Sequence, residues 1–169
     1  MGTLKLTPYS PRTQSGFTLV ELIVVLAIGG IIMAIAAPAF NTLVLNNRLK
    51  AAVADLQSSL YFARSEAMKR GASVEVAPKA GGWKAGWIVK ISGGAELRRS
   101  DGVSTTLTAA QSPTATITYG RNGRLTAGAA DIILSVSGSD VSARCLVLDL
   151  SGRPKVMVDH DGDPSNGCG

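Results

Sequence analysis

The apolar positions of this chain begin as one nearly uninterrupted run, from Phe17 to Phe40. Only Thr18, Glu21 and small residues break the run, so a helix formed there would be apolar on every face. At 1.5 Å per residue the run predicts a helix roughly 36 Å long, which is enough to cross a bilayer. Glu21 lies near its start, and a carboxylate in a membrane segment indicates a function and a partner.

Beyond Phe40 the apolar positions recur at spacings of three and four residues. They are Leu49, Val53, Leu56, Leu60, Ala63 and Ala67. This stripe predicts an amphipathic helix that ends at Gly71, after two basic residues. A coiled coil is the alternative, but the stripe covers fewer than four heptads and is rich in alanine. We therefore expect one helix over residues 17–70, in the membrane up to Phe40 and packed on a domain over residues 41–70.

After Gly71 the pattern changes to short β-rich segments separated by Gly, Ser, Asn and Asp. The predicted strands are residues 73–76, 87–91, 116–119, 132–136, 145–150 and 155–158. The segment Gly102–Pro113 is rich in Ser, Thr and Ala and predicts a surface loop or an irregular edge. Residues 71–169 are expected to form an antiparallel β domain stacked on the helix, which makes the fold class α+β.

Charge changes this picture only slightly. The chain has 169 residues and a net charge of +5. Two of its 17 basic residues, Lys5 and Arg12, precede the apolar run, which leaves 15 basic against 12 acidic residues and a net charge of +3. That balance favours anionic partners weakly. The basic residues before the run favour an N-terminus in the cytoplasm and a C-terminal domain on the other side of the membrane.

The sequence does not indicate a catalytic site or a metal-binding site. His160 is the only histidine, and the chain contains no G-x-S-x-G, P-loop or H-E-x-x-H sequence. Asp159–Asp163 alternates carboxylates and includes a glycine, but its order departs from the EF-hand loop and no glutamate closes it. We expect a solvated acidic turn there, with calcium binding as the alternative. For the whole protein we expect no cofactor and no enzymatic activity.

Four segments carry a resemblance to a known family. The sequence G-F-T-L-V-E at residues 16–21 resembles the class III signal of type IV prepilins and pseudopilins. Residues 61–67, 83–89 and 151–155 resemble the A-R-S-E-A, G-W-x-V and G-R-x-K segments of GspH/FimT-type minor pilins. The local alternatives are solvated or locally paired helix charges, a core or edge tryptophan beside a turn, and a turn between two strands with exposed charges. The resemblance implies a type IV pilin-like fold.

The signal also implies processing. A prepilin peptidase would cleave between Gly16 and Phe17, remove residues 1–16 as a leader, and leave Phe17 to be N-methylated. The new α-amine of a neighbouring subunit would then pair with Glu21 and set the axial register of a filament, because buried charges are tolerated only when paired. One alternative is a secretory signal peptide with a small-residue cleavage site at residues 34–36 or 37–39, and the other is a simple uncleaved anchor.

The resemblance implies a minor type IV pilin that primes pilus assembly or lies at the pilus tip. Its partners would be the inner membrane and other major and minor pilins. The alternatives are a minor pseudopilin of a type II secretion system and a DNA receptor of a competence pilus. Some family members bind DNA through basic residues near the C-terminus, which implies a role for Arg153 and Lys155. Three further candidates could join them on one face: Arg121, Arg124 and Arg144.

The two cysteines, Cys145 and Cys168, are expected to form a disulfide, because the domain that contains them is expected to be exported. A C-terminal disulfide loop also occurs widely among type IV pilins, and such a loop contributes roughly 3 kcal/mol of stability. Mass spectrometry under non-reducing conditions should find the chain two hydrogens lighter than after reduction. Two free thiols would contradict the pairing.

Overall fold

A computed structural model of the protein describes residues 16–102, 107–110, 116–128 and 131–159. The chain divides into two compact units, residues 1–39 and residues 40–169. The described part of the first unit contains the beginning of helix α1, which runs from Leu19 to Arg70 and contains Pro38. Among the described residues α1 alone is long and apolar enough to cross a membrane, with a mean hydropathy of 2.8 over 18 residues.

Local residues determine where α1 begins and where it ends. At the start, the Glu21 N–H donates to the Thr18 hydroxyl at 3.2 Å, so Thr18 caps the helix. At the end, Gly71 has a φ of +62°, and the Ala72 N–H donates to the Ala67 carbonyl at 3.3 Å. This arrangement is a Schellman motif, which favours glycine because of its positive φ. The helix therefore begins two residues later than predicted and ends where predicted.

The β strands form two antiparallel sheets in the second unit. The first sheet has the order β3-β2-β1-β5-β6 and the second the order β4-β7-β8-β9. The strands of the first are β1 (Val74–Lys79), β2 (Gly82–Ile91), β3 (Glu96–Asp101), β5 (Ile117–Tyr119) and β6 (Leu125–Ala127). Those of the second are β4 (Leu107–Ala110), β7 (Ile132–Val136), β8 (Arg144–Leu148) and β9 (Pro154–Val158). The predicted α+β fold, a long helix packed on an antiparallel β domain, is confirmed.

Three strands were not predicted, and β2 begins at Gly82 rather than at residue 87. The loop expected over Gly102–Pro113 contains β4 at Leu107–Ala110, so the loop prediction is wrong for these four residues, although β4 does lie at a sheet edge. The short β6 was not predicted. Neither was β3, because four of its six residues are charged. Its Arg98 pairs with Asp55 of α1 at 2.9 Å, which holds this polar edge strand against the helix.

The core of the second unit lies between α1 and both sheets. The largest buried cluster joins Leu56, Leu60, Ala63 and Ala67 of the helix to residues of the two sheets. Trp83 and Trp87 are 1% and 2% exposed, which confirms the interpretation of the G-W-x-V tryptophans as core residues. A second cluster packs Leu49, Ala52 and Val53 against Leu134 and Val136 of β7. The apolar stripe of the helix is thus buried along its whole predicted length.

Candidate functional site

The assembly residues lie at the start of α1. Gly16 and Phe17 precede the helix, both are exposed, and a Cβ added at Gly16 would meet no atom within 4 Å. Glu21 is exposed in the first turn of α1, where a carboxylate interacts favourably with the positive end of the helix dipole. Thr18 was missed as a capping residue, although its spacing to Glu21 is that of a capping box.

Two turns of the β domain meet side by side. One connects β5 to β6 and includes Arg121 and Arg124, and the other connects β8 to β9 and includes Arg153. The Leu125 N–H donates to the Leu150 carbonyl at 3.3 Å, which ties the two turns together. All three arginines are exposed. We call this surface, made by Arg121, Arg124 and Arg153, the arginine turn pair.

Glycines allow the close approach of these turns. Gly152 has a φ of +75°, and a Cβ there would lie 2.6 Å from the Gly123 carbonyl oxygen and 2.9 Å from the Tyr119 ring. Gly123 has a φ of +73°, and a Cβ there would lie 3.2 Å from Nε of Arg64. The turns therefore rest on Tyr119 of β5 and Arg64 of α1. Burial raises the pKa of the Tyr119 phenol, while the charge of Arg64 acts in the opposite direction, so the phenol is neutral at physiological pH.

Acidic groups reduce the positive charge locally. Asp149 lies in the β8–β9 turn and accepts hydrogen bonds from the Ser151 hydroxyl and, at 2.9 Å, from the Ser151 N–H. The hydroxyl bond is the main cause of the lowered pKa of Asp149, so this carboxylate stays ionised at neutral pH. On α1, Glu66 pairs with Arg70, whose hydrogen bond lowers the pKa of Glu66. Glu66 is thus a locally paired helix charge, as the local interpretation of its segment predicts.

The other two basic candidates lie in the strands β8 and β9 rather than in the two turns. Lys155 of β9 is paired with Val147, on the face of the second sheet that also carries Cys145. Arg144 is paired with Val158, at the opposite end of the β8–β9 pair from Arg153 and roughly 17 Å from it along the strand. The structure therefore brings Arg121, Arg124 and Arg153 together, leaves Lys155 two residues beyond Arg153 at the same end of β9, and separates Arg144 from them.

The C-terminal candidates are only partly described. Cys145 is fully buried in β8, and Cys168 lies outside the described residues, so the disulfide stays a prediction. Asp159 is 1% exposed, and its N–H donates to the Ala143 carbonyl at 3.0 Å. The prediction of a solvated turn is therefore wrong for Asp159. The remainder of the acidic segment, residues 160–163, is outside the described part. Within that part, no group of three or more His, Cys, Asp or Glu side chains could hold a metal ion.

Comparisons with known proteins agree with this architecture. The family model described as type II transport protein GspH matches residues 52–152, and the model of the prokaryotic N-terminal methylation motif matches residues 11–37. Two crystal structures of the type IV minor pilin FimU of Pseudomonas aeruginosa are similar to this chain. One has 26% identity and a TM-score of 0.57, over 72% of this chain and 96% of FimU. The other has 25% identity and a TM-score of 0.54, over 71% and 99%. A comparison with curated proteins gave no match.

The glycine contacts predict the stability of the arginine turn pair. Replacing Gly152→Ala should lower the free energy of unfolding by about 1–2 kcal/mol for the left-handed φ and by about 1–3 kcal/mol more for the clash with Gly123 and Tyr119. Gly138→Ala is the matched control, because Gly138 has a φ of +68° but open space around it. Denaturant unfolding of both variants measures the difference. Equal losses would show that the turn contact contributes nothing.

Proposed function

Since this chain belongs to the GspH family of type IV pilin-like proteins, we propose that it is a minor pilin that initiates a type IV pilus or lies near its tip. The observation that carries the proposal is the combination of an exposed apolar helix with a single acid. Residues 16–39 contain no charged residue other than Glu21, and all of them are exposed in the isolated chain. Lateral packing against the helices of other pilins would bury this surface.

Glu21 would set the register of that packing. Burying a carboxylate among apolar helices is costly unless a positive group pairs with it. Cleavage between Gly16 and Phe17 would create such a group, the α-amine of Phe17, at the N-terminus of each processed subunit. Pairing of Glu21 with the amine of a neighbour would offset the desolvation of both charges and select one axial offset. A prepilin peptidase is therefore the first partner, and other pilins are the second.

The same helix would hold the protein in the inner membrane before assembly. The basic residues that precede it favour a cytoplasmic N-terminus and a periplasmic β domain. Gly29, Gly30 and Pro38 weaken the helix interior, which would ease its adjustment when a subunit moves from lipid into a filament. A pseudopilus of a type II secretion system would use the same contacts, and it remains the alternative assembly.

Replacing Glu21→Ala should leave membrane insertion and cleavage intact and reduce incorporation of the full chain into filaments by about tenfold or more, since a buried charge pair would be lost. Immunoblots of sheared filaments and of membranes measure incorporation and cleavage separately. Glu96→Ala is the control, because Glu96 is an exposed carboxylate of β3 outside the helix. Normal incorporation of the Glu21 variant would refute the pairing mechanism.

DNA binding is a second candidate, favoured by the arginine turn pair. Three exposed guanidinium groups on adjacent turns would contact phosphates without reading bases, because phosphate contacts carry no sequence information. Asp149 opposes this binding by adding a negative charge to the turn that contains Arg153. Binding would therefore be weak and strongly dependent on salt.

A gel-shift assay with the full chain and single-stranded DNA tests this candidate. Three phosphate contacts predict a loss of affinity of about 20-fold between 50 and 200 mM salt. The double variant Arg121→Glu with Arg153→Glu should abolish the shift, whereas Lys84→Glu, an exposed position of β2, should reduce it only slightly. A shift that survives the double variant would exclude the arginine turn pair as the site, and no shift at any salt concentration would exclude DNA binding.

A further inference from the structure

Two cavities open on either side of the Arg144 side chain. One has a volume of about 200 Å³ and the other about 160 Å³. The first is lined by Thr42, Asn46, Asp140, Val141, Ser142, Arg144 and Val158. The second is lined by Lys50, Val53, Ala54, Gln57, Arg144 and Val156. Together they follow α1 from Thr42 to Gln57, which is roughly 22 Å of helix. We call this surface the Arg144 groove.

One side of the groove is an open sheet edge. Among the described strands, β9 pairs with β8 alone, so no strand lies along its other edge. At the first residue of β9, the Pro154 carbonyl accepts hydrogen bonds from Gln57 Nε2 and the Tyr61 hydroxyl, both at 3.4 Å. Further along, Val156 and Val158 contribute to the two cavities. An unpaired edge of this kind accepts an added strand from another chain.

The charge of the groove indicates what the added strand carries. Arg144 is half-buried, and its buried Nε has no hydrogen-bond partner among the described residues. Lys50 lines the same groove, and within the described part of the chain neither residue forms an ion pair. Asp140 also lines the first cavity, but it is not among the ion pairs of the described residues. A carboxylate in the groove would accept a hydrogen bond from this Nε and supply a counter-charge to Arg144, so the groove fits a carboxylate.

The apolar lining favours a peptide as the source of that carboxylate. Val53, Ala54 and Val156 form half of the lining of the second cavity, and such side chains bury apolar groups rather than phosphates. We propose that the Arg144 groove binds an extended segment of another pilin subunit, which adds to the free edge of β9 and places one carboxylate against Arg144. This inference rests on the proposed function, because it requires that the protein lies beside other pilins in a filament.

Photo-crosslinking in assembled filaments tests the groove. A benzophenone amino acid replaces the exposed Ala54 in the full chain, cells are irradiated, and adducts in sheared filaments are identified by mass spectrometry. We expect an adduct with an acidic segment of a different pilin. Arg144→Glu should reduce its yield by about tenfold, the effect of losing one charge-assisted hydrogen bond, and Arg144→Gln should reduce it less. The same amino acid at Lys84 of β2 should give no such adduct.

The outcomes separate the groove from the proposed function. If the wild-type chain is absent from filaments, the proposed function fails. If the chain is present and position 54 gives no pilin adduct, or gives one only with a second copy of this chain, the groove inference fails alone. The inference also fails if both Arg144 variants enter filaments normally and keep the full adduct yield. Arg144→Gln keeps this test valid should the charge reversal impair folding.

Discussion

The burial of one helical stripe is the constraint on which the rest of the structure depends. Residues of α1 from Leu49 to Ala67 fill the space against both sheets, so neither sheet would bury its inner face without the helix. Because a helix repeats every 3.6 residues, this stripe also fixes which helix positions face outward. Asp55 pairs with Arg98 of the edge strand β3 on one side, and Lys50 and Ala54 line the Arg144 groove on another.

Much of the fold could be predicted because its signals are local. The apolar run, the stripe and Gly71 each act within a few turns of helix, and the helix end agrees with them. The charged strand β3 could not be predicted, since its stability comes from pairing with β2 and from contacts with a distant part of α1. The short strand β4 similarly depends on β7, which lies more than twenty residues further along the chain, whereas β6 has only three residues and pairs with the adjacent strand β5.

The candidate sites also divide into those with a local sequence signal and those that depend on distant contacts. Glu21 was identified from its position in a local motif, and its location in the first turn of α1 agrees with that motif. The basic residues were grouped by type alone. Their distribution depends on strand register, which puts Arg153 beside the β5–β6 turn and Arg144 at the other end of the β8–β9 pair. Register is a long-range property, so the sequence could nominate these residues but could not group them.

The central claim is that the exposed apolar part of α1 assembles filaments through a charge pair between subunits. The most direct test is the distance from the Glu21 carboxylate to the α-amine of Phe17 in the adjacent subunit, measured in a structure of the assembled filament that contains this protein. The account predicts a separation within about 4 Å, the range of an ion pair. A Glu21 side chain that faces solvent, or that lies more than about 8 Å from any subunit's amine, would contradict it.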